Sequence, residues 1–113
     1  MKTIIFHNPR CSKSREALCL LNEHNEDVEI IEYLKDTPSA AELKKIVKLI
    51  GIKPIQLVRK NEKVFIPYKD KNLTDDEVIK LMVDNPILIE RPIVIKNNKA
   101  MIGRPPQVIV DIL

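Results

Sequence analysis

The chain has 113 residues, of which 44% are hydrophobic and 31% charged, the size and make-up of one folded domain rather than of a disordered segment. A net charge of +3 spread over scattered lysines, with 4% aromatic residues, excludes the basic and aromatic platforms of nucleic-acid binders. No apolar run approaches the ~18 residues of a membrane span, and the run ending at Phe6 is far shorter than that of a secretion signal. The expectation is a single cytoplasmic domain over residues 1–113, without membrane or nucleic-acid partners.

Lys2 to Phe6 is short, apolar and β-branched and stops at Asn8-Pro9, which predicts a strand running into a tight loop. From Ser12 to about His24 neither Gly nor Pro intervenes, and Ala17, Leu18, Leu20 and Leu21 recur with helical period. Val28–Tyr33 predicts a second strand, so strand, helix and strand in succession imply a parallel pair with a right-handed crossover. Ser39 and Glu42 have the spacing of a capping box, with Pro38 near the first turn. Leu43, Ile46, Val47 and Ile50 supply the apolar face, and Gly51 stands where a left-handed stop belongs. A shorter helical piece follows from Lys53-Pro54 through Leu57, Val58 and Arg59, and residues 60–72 read as loop.

Thr74 and Glu77 mark a second capping box, whose helix ends before Asn85-Pro86. Pro92–Lys96 and Lys99–Ile102 flank Asn97-Asn98, a two-residue hairpin signal, because Asn tolerates positive φ. Pro105-Pro106 then opens a short final helix with Val108, Ile109 and Ile112 on its apolar face. The order is βαβ, helical pieces, then ββα: an α/β protein.

Cys11 falls at the junction of the first strand and first helix, where free N–H groups and the helix dipole favour an anion. Arg10 and Arg15 add positive charge, while Ser12, Ser14 and His7 can donate hydrogen bonds, so the thiol pKa should fall. Structural cysteines rarely sit among Asn, Pro, Arg, Ser and Lys, which makes Cys11 the candidate nucleophile. Cys19 lies eight residues on, a rise of ~12 Å along a helix and beyond disulfide reach; its apolar neighbours assign it a structural place. Ser14 occupies the second position of what would be a Cys-x-x-Cys pair, so a resolving thiol must come from another molecule. His7 and His24 share no ligand spacing with the cysteines, so no metal is expected, and His24 reads as exposed at a helix end.

Arg59, Arg91 and Arg104 each stand at a structural junction. Guanidinium groups could cradle a tetrahedral oxyanion; equally, these could be separate arginines at loop ends, and sequence spacing does not choose.

His7-Asn8-Pro9-Arg10-Cys11-Ser12-Lys13-Ser14-Arg15, Leu57-Val58-Arg59-Lys60, Glu90-Arg91-Pro92-Ile93-Val94 and Gly103-Arg104-Pro105-Pro106 together resemble the glutaredoxin-dependent arsenate reductase family (ArsC-like), nearest its short YfgD-like members. The resemblance implies a thioredoxin-like fold with a helical insert and reduction of arsenate to arsenite, with arsenate or a similar oxyanion as the partner. Glutathione is the implied co-substrate and glutaredoxin the implied partner, with no bound cofactor. By position Cys11 matches the catalytic cysteine, and His7 and Ser14 match residues that assist its ionisation. Arg59, Arg91 and Arg104 match the oxyanion-binding arginines, and the Arg91-Pro92 bond is implied to be cis.

The alternatives are a glutathione-dependent thiol reductase without arsenate activity, an Spx-like regulatory binding protein, and a plain structural domain. The Spx switch uses a Cys-x-x-Cys pair that Ser14 interrupts. A structural domain would leave the Cys11 pKa unshifted.

Overall fold

In a computed structural model describing residues 2–113, the chain divides into two compact units, one comprising residues up to Asp36 together with Arg91–Leu113, the other Thr37–Glu90. The first unit is built on β1 (Thr3–Phe6), α1 (Ser12–Glu23), β2 (Val28–Ile31), β3 (Ile93–Lys96) and β4 (Lys99–Ile102). Its four-stranded sheet has the order β2-β1-β3-β4. β1 runs parallel to β2 with Ile5 opposite Ile30, and antiparallel to β3 with Ile5 opposite Val94. The result is the mixed-sheet, thioredoxin-like α/β fold expected from the resemblance.

The core of this unit follows from two periods. Ile5 and Val94 project from the sheet, while Ala17 and Leu21, four residues apart on α1, meet them together with Ile109. Cys19 lies two residues from each of those core positions, about 200° around the helix at ~100° per residue. It is therefore exposed, correcting its expected structural place. Both cysteines are free thiols.

The hairpin forms as the sequence predicts, with Asn97 at φ 57° between β3 and β4. Gly103 follows β4 in a place that leaves no room for a side chain: a Cβ there would lie 2.9 Å from Cγ of Pro92 and 3.3 Å from Cγ2 of Ile109. Its N–H donates to the Pro92 carbonyl at 2.8 Å, which brings the segment carrying Arg104 alongside the one carrying Arg91. The bonds before Pro92 and Pro105 are both cis; the resemblance implied only the first.

The second unit, inserted in the chain between β2 and β3, contains α2 (Ala40–Ile50) and α3 (Asp75–Asp84). Both start with complete capping boxes, Ser39 with Glu42 and Thr74 with Glu77, each satisfying two otherwise orphaned N–H groups. Gly51 ends α2 at φ 83°. α3 packs against α2 and against short 3₁₀ turns at Pro54–Leu57 and Pro86–Leu88.

Several boundaries differ from expectation. β2 ends at Ile31 because Glu32 starts a turn, its carbonyl accepting the Lys35 and Asp36 N–H groups. The helical piece expected to reach Arg59 stops at Leu57, since Val58 pairs with Ile89 in an antiparallel bridge. A 3₁₀ helix at Lys63–Tyr68 occupies the expected loop and buries Phe65. The final helix is 3₁₀ over Pro106–Ile112. No helix among the described residues is long and apolar enough to cross a membrane.

Candidate active site

β1 ends at Phe6, and its pairing with β2 extends one residue further as the His7 N–H donates to the Ile31 carbonyl at 2.8 Å. The chain then folds tightly on Asn8. The Asn8 carbonyl accepts the Cys11 N–H, and its side-chain Oδ1 accepts the Arg10 N–H, each at 3.0 Å. Asx turns of this kind need no partner from elsewhere in the chain. Cys11 thereby becomes the N-cap residue of α1, extended at φ −97° and ψ 122°, with its side chain beside the first N–H groups of the helix.

A second layer lies beneath the loop. His7 and Ser14 are buried, with His7 Nδ1 2.6 Å from Ser14 Oγ, and the same oxygen accepts the Asn8 N–H at 3.0 Å. Burial lowers the His7 pKa, the Glu32 charge opposes that shift, and the Arg15 charge reinforces it. The imidazole is therefore neutral at pH 7. With its proton on Nε2, its Nδ1 accepts the Ser14 hydroxyl.

The environment of Cys11 contains opposing influences. Burial pushes the thiol up; the Ser14 N–H, the Arg91 side chain as donor and as charge, and the Lys13 N–H outweigh it, holding the pKa below its ordinary value. The sulfur makes no formal capping hydrogen bond, so the helix amides act on it electrostatically. Arg104 directs Nη2 at Cys11 Sγ from 3.9 Å while its Nε donates to the Arg91 carbonyl at 2.8 Å. One guanidinium thus reaches both the Cys11 thiol and the neighbouring arginine's backbone. Arg91 keeps one more donor in reserve: its Nε is buried and has no hydrogen-bond partner among the described residues. An unpaired buried donor costs about 1–3 kcal/mol.

Cys11, His7, Ser14, Arg15, Arg91 and Arg104 all belong to the first unit. Arg15 Nη1 donates to the Pro9 carbonyl at 2.9 Å and clamps the loop, while Arg91 acts on the thiol both as a donor and as a charge. Arg59 belongs to the second unit, beside the Val58–Ile89 bridge, and pairs with Glu62 at 2.7 Å and Glu90 at 3.5 Å. Those two carboxylates were not singled out from sequence, although the Arg59–Glu62 spacing was a visible sign. No group of three or more potential metal ligands occurs among the described residues.

Sheet and strand order define a thioredoxin-like α/β protein that carries Cys11 at the start of its first helix. Residues 6–112 match the model of the ArsC family, and the chain belongs to that family. It is 44% identical over 112 residues to the uncharacterized protein YfgD of Escherichia coli strain K12, covering 96% of this chain and 94% of that one. It is 40% identical to the arsenate reductase of Haemophilus influenzae, with all of both chains covered. The solved structure of an arsenate reductase from Vibrio cholerae is similar with a TM-score of 0.95 at 40% identity, covering 100% of this chain and 98% of that one.

Proposed function

We propose that the protein is an oxidoreductase that reduces arsenate to arsenite through Cys11, using glutathione and glutaredoxin in the reducing cytoplasm. The observation that carries this reading is the convergence on one buried thiol of Arg104 Nη2 at 3.9 Å and of an Arg91 side chain with an unpaired Nε. Relatives named arsenate reductase across nearly the whole chain support it.

In the proposed reaction the Cys11 thiolate attacks arsenic. A sulfur–arsenic bond forms, an arsenic–oxygen bond breaks, and the departing hydroxide leaves as water after taking a proton. Arg91 and Arg104 neutralise the charge that gathers on the oxyanion. The glutathione thiolate then attacks Cys11 Sγ: a disulfide forms, the sulfur–arsenic bond breaks, and its electron pair stays on arsenic as arsenite. Two thiols have been oxidised and As(V) has gained two electrons. Glutaredoxin next attacks the glutathione sulfur and returns the Cys11 thiolate. Ser14, buried and bonded to His7, contributes no second thiol, so reducing equivalents come from outside.

The test is a coupled assay containing arsenate, glutathione, glutaredoxin, glutathione reductase and NADPH. NADPH consumption should require arsenate and vanish in Cys11→Ser. Consumption that ignores arsenate but follows a glutathionylated substrate would replace this reading with a thiol reductase.

A further inference from the structure

A concavity opens beside the segment that leads into Cys11. It has a volume of about 330 Å³ and is walled by His7–Arg10 and by Glu32, Leu34 and Lys35 from the turn after β2. This falls within the ~300–1,000 Å³ of small-molecule sites and is generous for a tetrahedral oxyanion. We propose that it seats the thiol reductant, a small peptide thiol with two carboxylates and one ammonium: the carboxylates pair with Arg10 and Lys35, and the ammonium with Glu32. This rests on the reading of Cys11 as the reacting thiol and specifies where its co-substrate sits.

Three features carry the assignment. The first is reach: Arg10 directly precedes Cys11, with consecutive Cα atoms ~3.8 Å apart, and the Cys11 N–H is bonded back to Asn8. A molecule in the cavity therefore lies against the loop that presents the sulfur. The second is charge. Arg10 and Lys35 are exposed and form no ion pair among the described residues, while Glu32 lines the same space and its charge acts on His7. Two cations and one anion mirror the charges of the ligand; a lone oxyanion would be repelled by Glu32. The third is the apolar lining: Leu34 is 43% exposed, a leucine available to cover the methylenes of a peptide backbone.

The probe is S-methylglutathione, which has the charges of the reductant but no thiol to react. Titrated into the wild-type protein, it should shift the amide resonances of Asn8, Arg10 and Glu32–Lys35 saturably. Leu34→Glu with Lys35→Glu should weaken that binding roughly tenfold or more. The same variant should raise the KM for glutathione by a similar factor and leave the KM for arsenate within about twofold. Shifts confined to other surfaces, or a glutathione KM unmoved by the substitutions, would overturn the proposal. The titration uses only wild-type protein and no arsenate, so it decides the matter even where the variant fails to fold. Binding here without arsenate turnover would retain the cavity assignment and remove arsenate. Arsenate turnover with an unmoved glutathione KM would do the reverse.

Discussion

His7 Nδ1 and Ser14 Oγ meet at 2.6 Å beneath the Cys11 loop, where the Asn8 N–H shares the same oxygen. Ser14→Ala would leave that N–H and the ring nitrogen buried without a partner. Unfolding in denaturant should show a loss of about 1–3 kcal/mol. The Ser14 N–H, which acts directly on the thiol, survives the substitution. The Cys11 titration should therefore move less than in Arg91→Ala. A stability change under about 0.5 kcal/mol, the range of ordinary surface substitutions, would show that the hydroxyl is dispensable.

Cys11 should alkylate with iodoacetamide at a pH midpoint below that of a free thiol, whose pKa is about 8.5. The reason is that donors and positive charge favour the thiolate over its burial penalty. Arg91→Ala removes both a donor and a charge and should raise the midpoint. Cys19→Ala should leave it in place, because Cys19 is exposed on α1 away from that cluster. A wild-type midpoint equal to that of free cysteine would contradict the electrostatics assigned to the site.

Arg104 uses two nitrogens for two tasks, Nε to the Arg91 carbonyl and Nη2 toward the sulfur. A lysine keeps the charge and loses the fork. Arg104→Lys and Arg91→Lys should each lower the kcat for arsenate by roughly 10²-fold, the effect of losing one oxyanion donor elsewhere. Arg59→Lys tests the third arginine that the resemblance implies, whose fork is engaged by Glu62 and Glu90. Lysine variants as active as the parent, failing only as alanine and only at high salt, would mean that a diffuse positive field suffices.

Stability should depend on pH through His7. Its folded pKa lies below the ordinary 6.5 because of burial, so below pH 6.5 the unfolded chain binds more protons than the native one. This contribution is fully present above pH 6.5, shrinks as the pH falls toward the folded pKa, and levels off beneath it. Denaturation midpoints measured between pH 7.5 and 5 should fall, and His7→Gln should flatten the decline. A wild-type profile no steeper than that of the variant would remove His7 as the cause.

Much of the local structure was legible in the chain because its causes span only a few residues. Ser39 reaches the Glu42 N–H and Thr74 the Glu77 N–H. Gly51, which lacks a Cβ, and Asn97, whose short polar side chain tolerates it, adopt positive φ. Asn8 ties down the Cys11 loop by itself. Two of the misread stretches are shaped by partners or burial that no local pattern shows. Val58 leaves the helical piece to bridge Ile89, and Phe65 draws a 3₁₀ helix out of an apparent loop by burying itself.

Cys11 stood out in the sequence as the candidate nucleophile because a strand-to-helix junction and its polar neighbours are adjacent in the chain. Which groups lower its pKa was decided by tertiary structure. Arg10 and Arg15 stood nearest in sequence, yet Arg91 supplies the charge, and Arg104, 93 residues away, directs Nη2 at the sulfur. Both arrive through β1–β3 pairing and the close passage of Gly103 over Pro92. The exposure of Cys19 was decided in the same way, by which face of α1 the sheet buries. Hydrogen bonds across three or four residues are encoded where they are made; the meeting of distant side chains depends on strand register and packing, which no local pattern specifies.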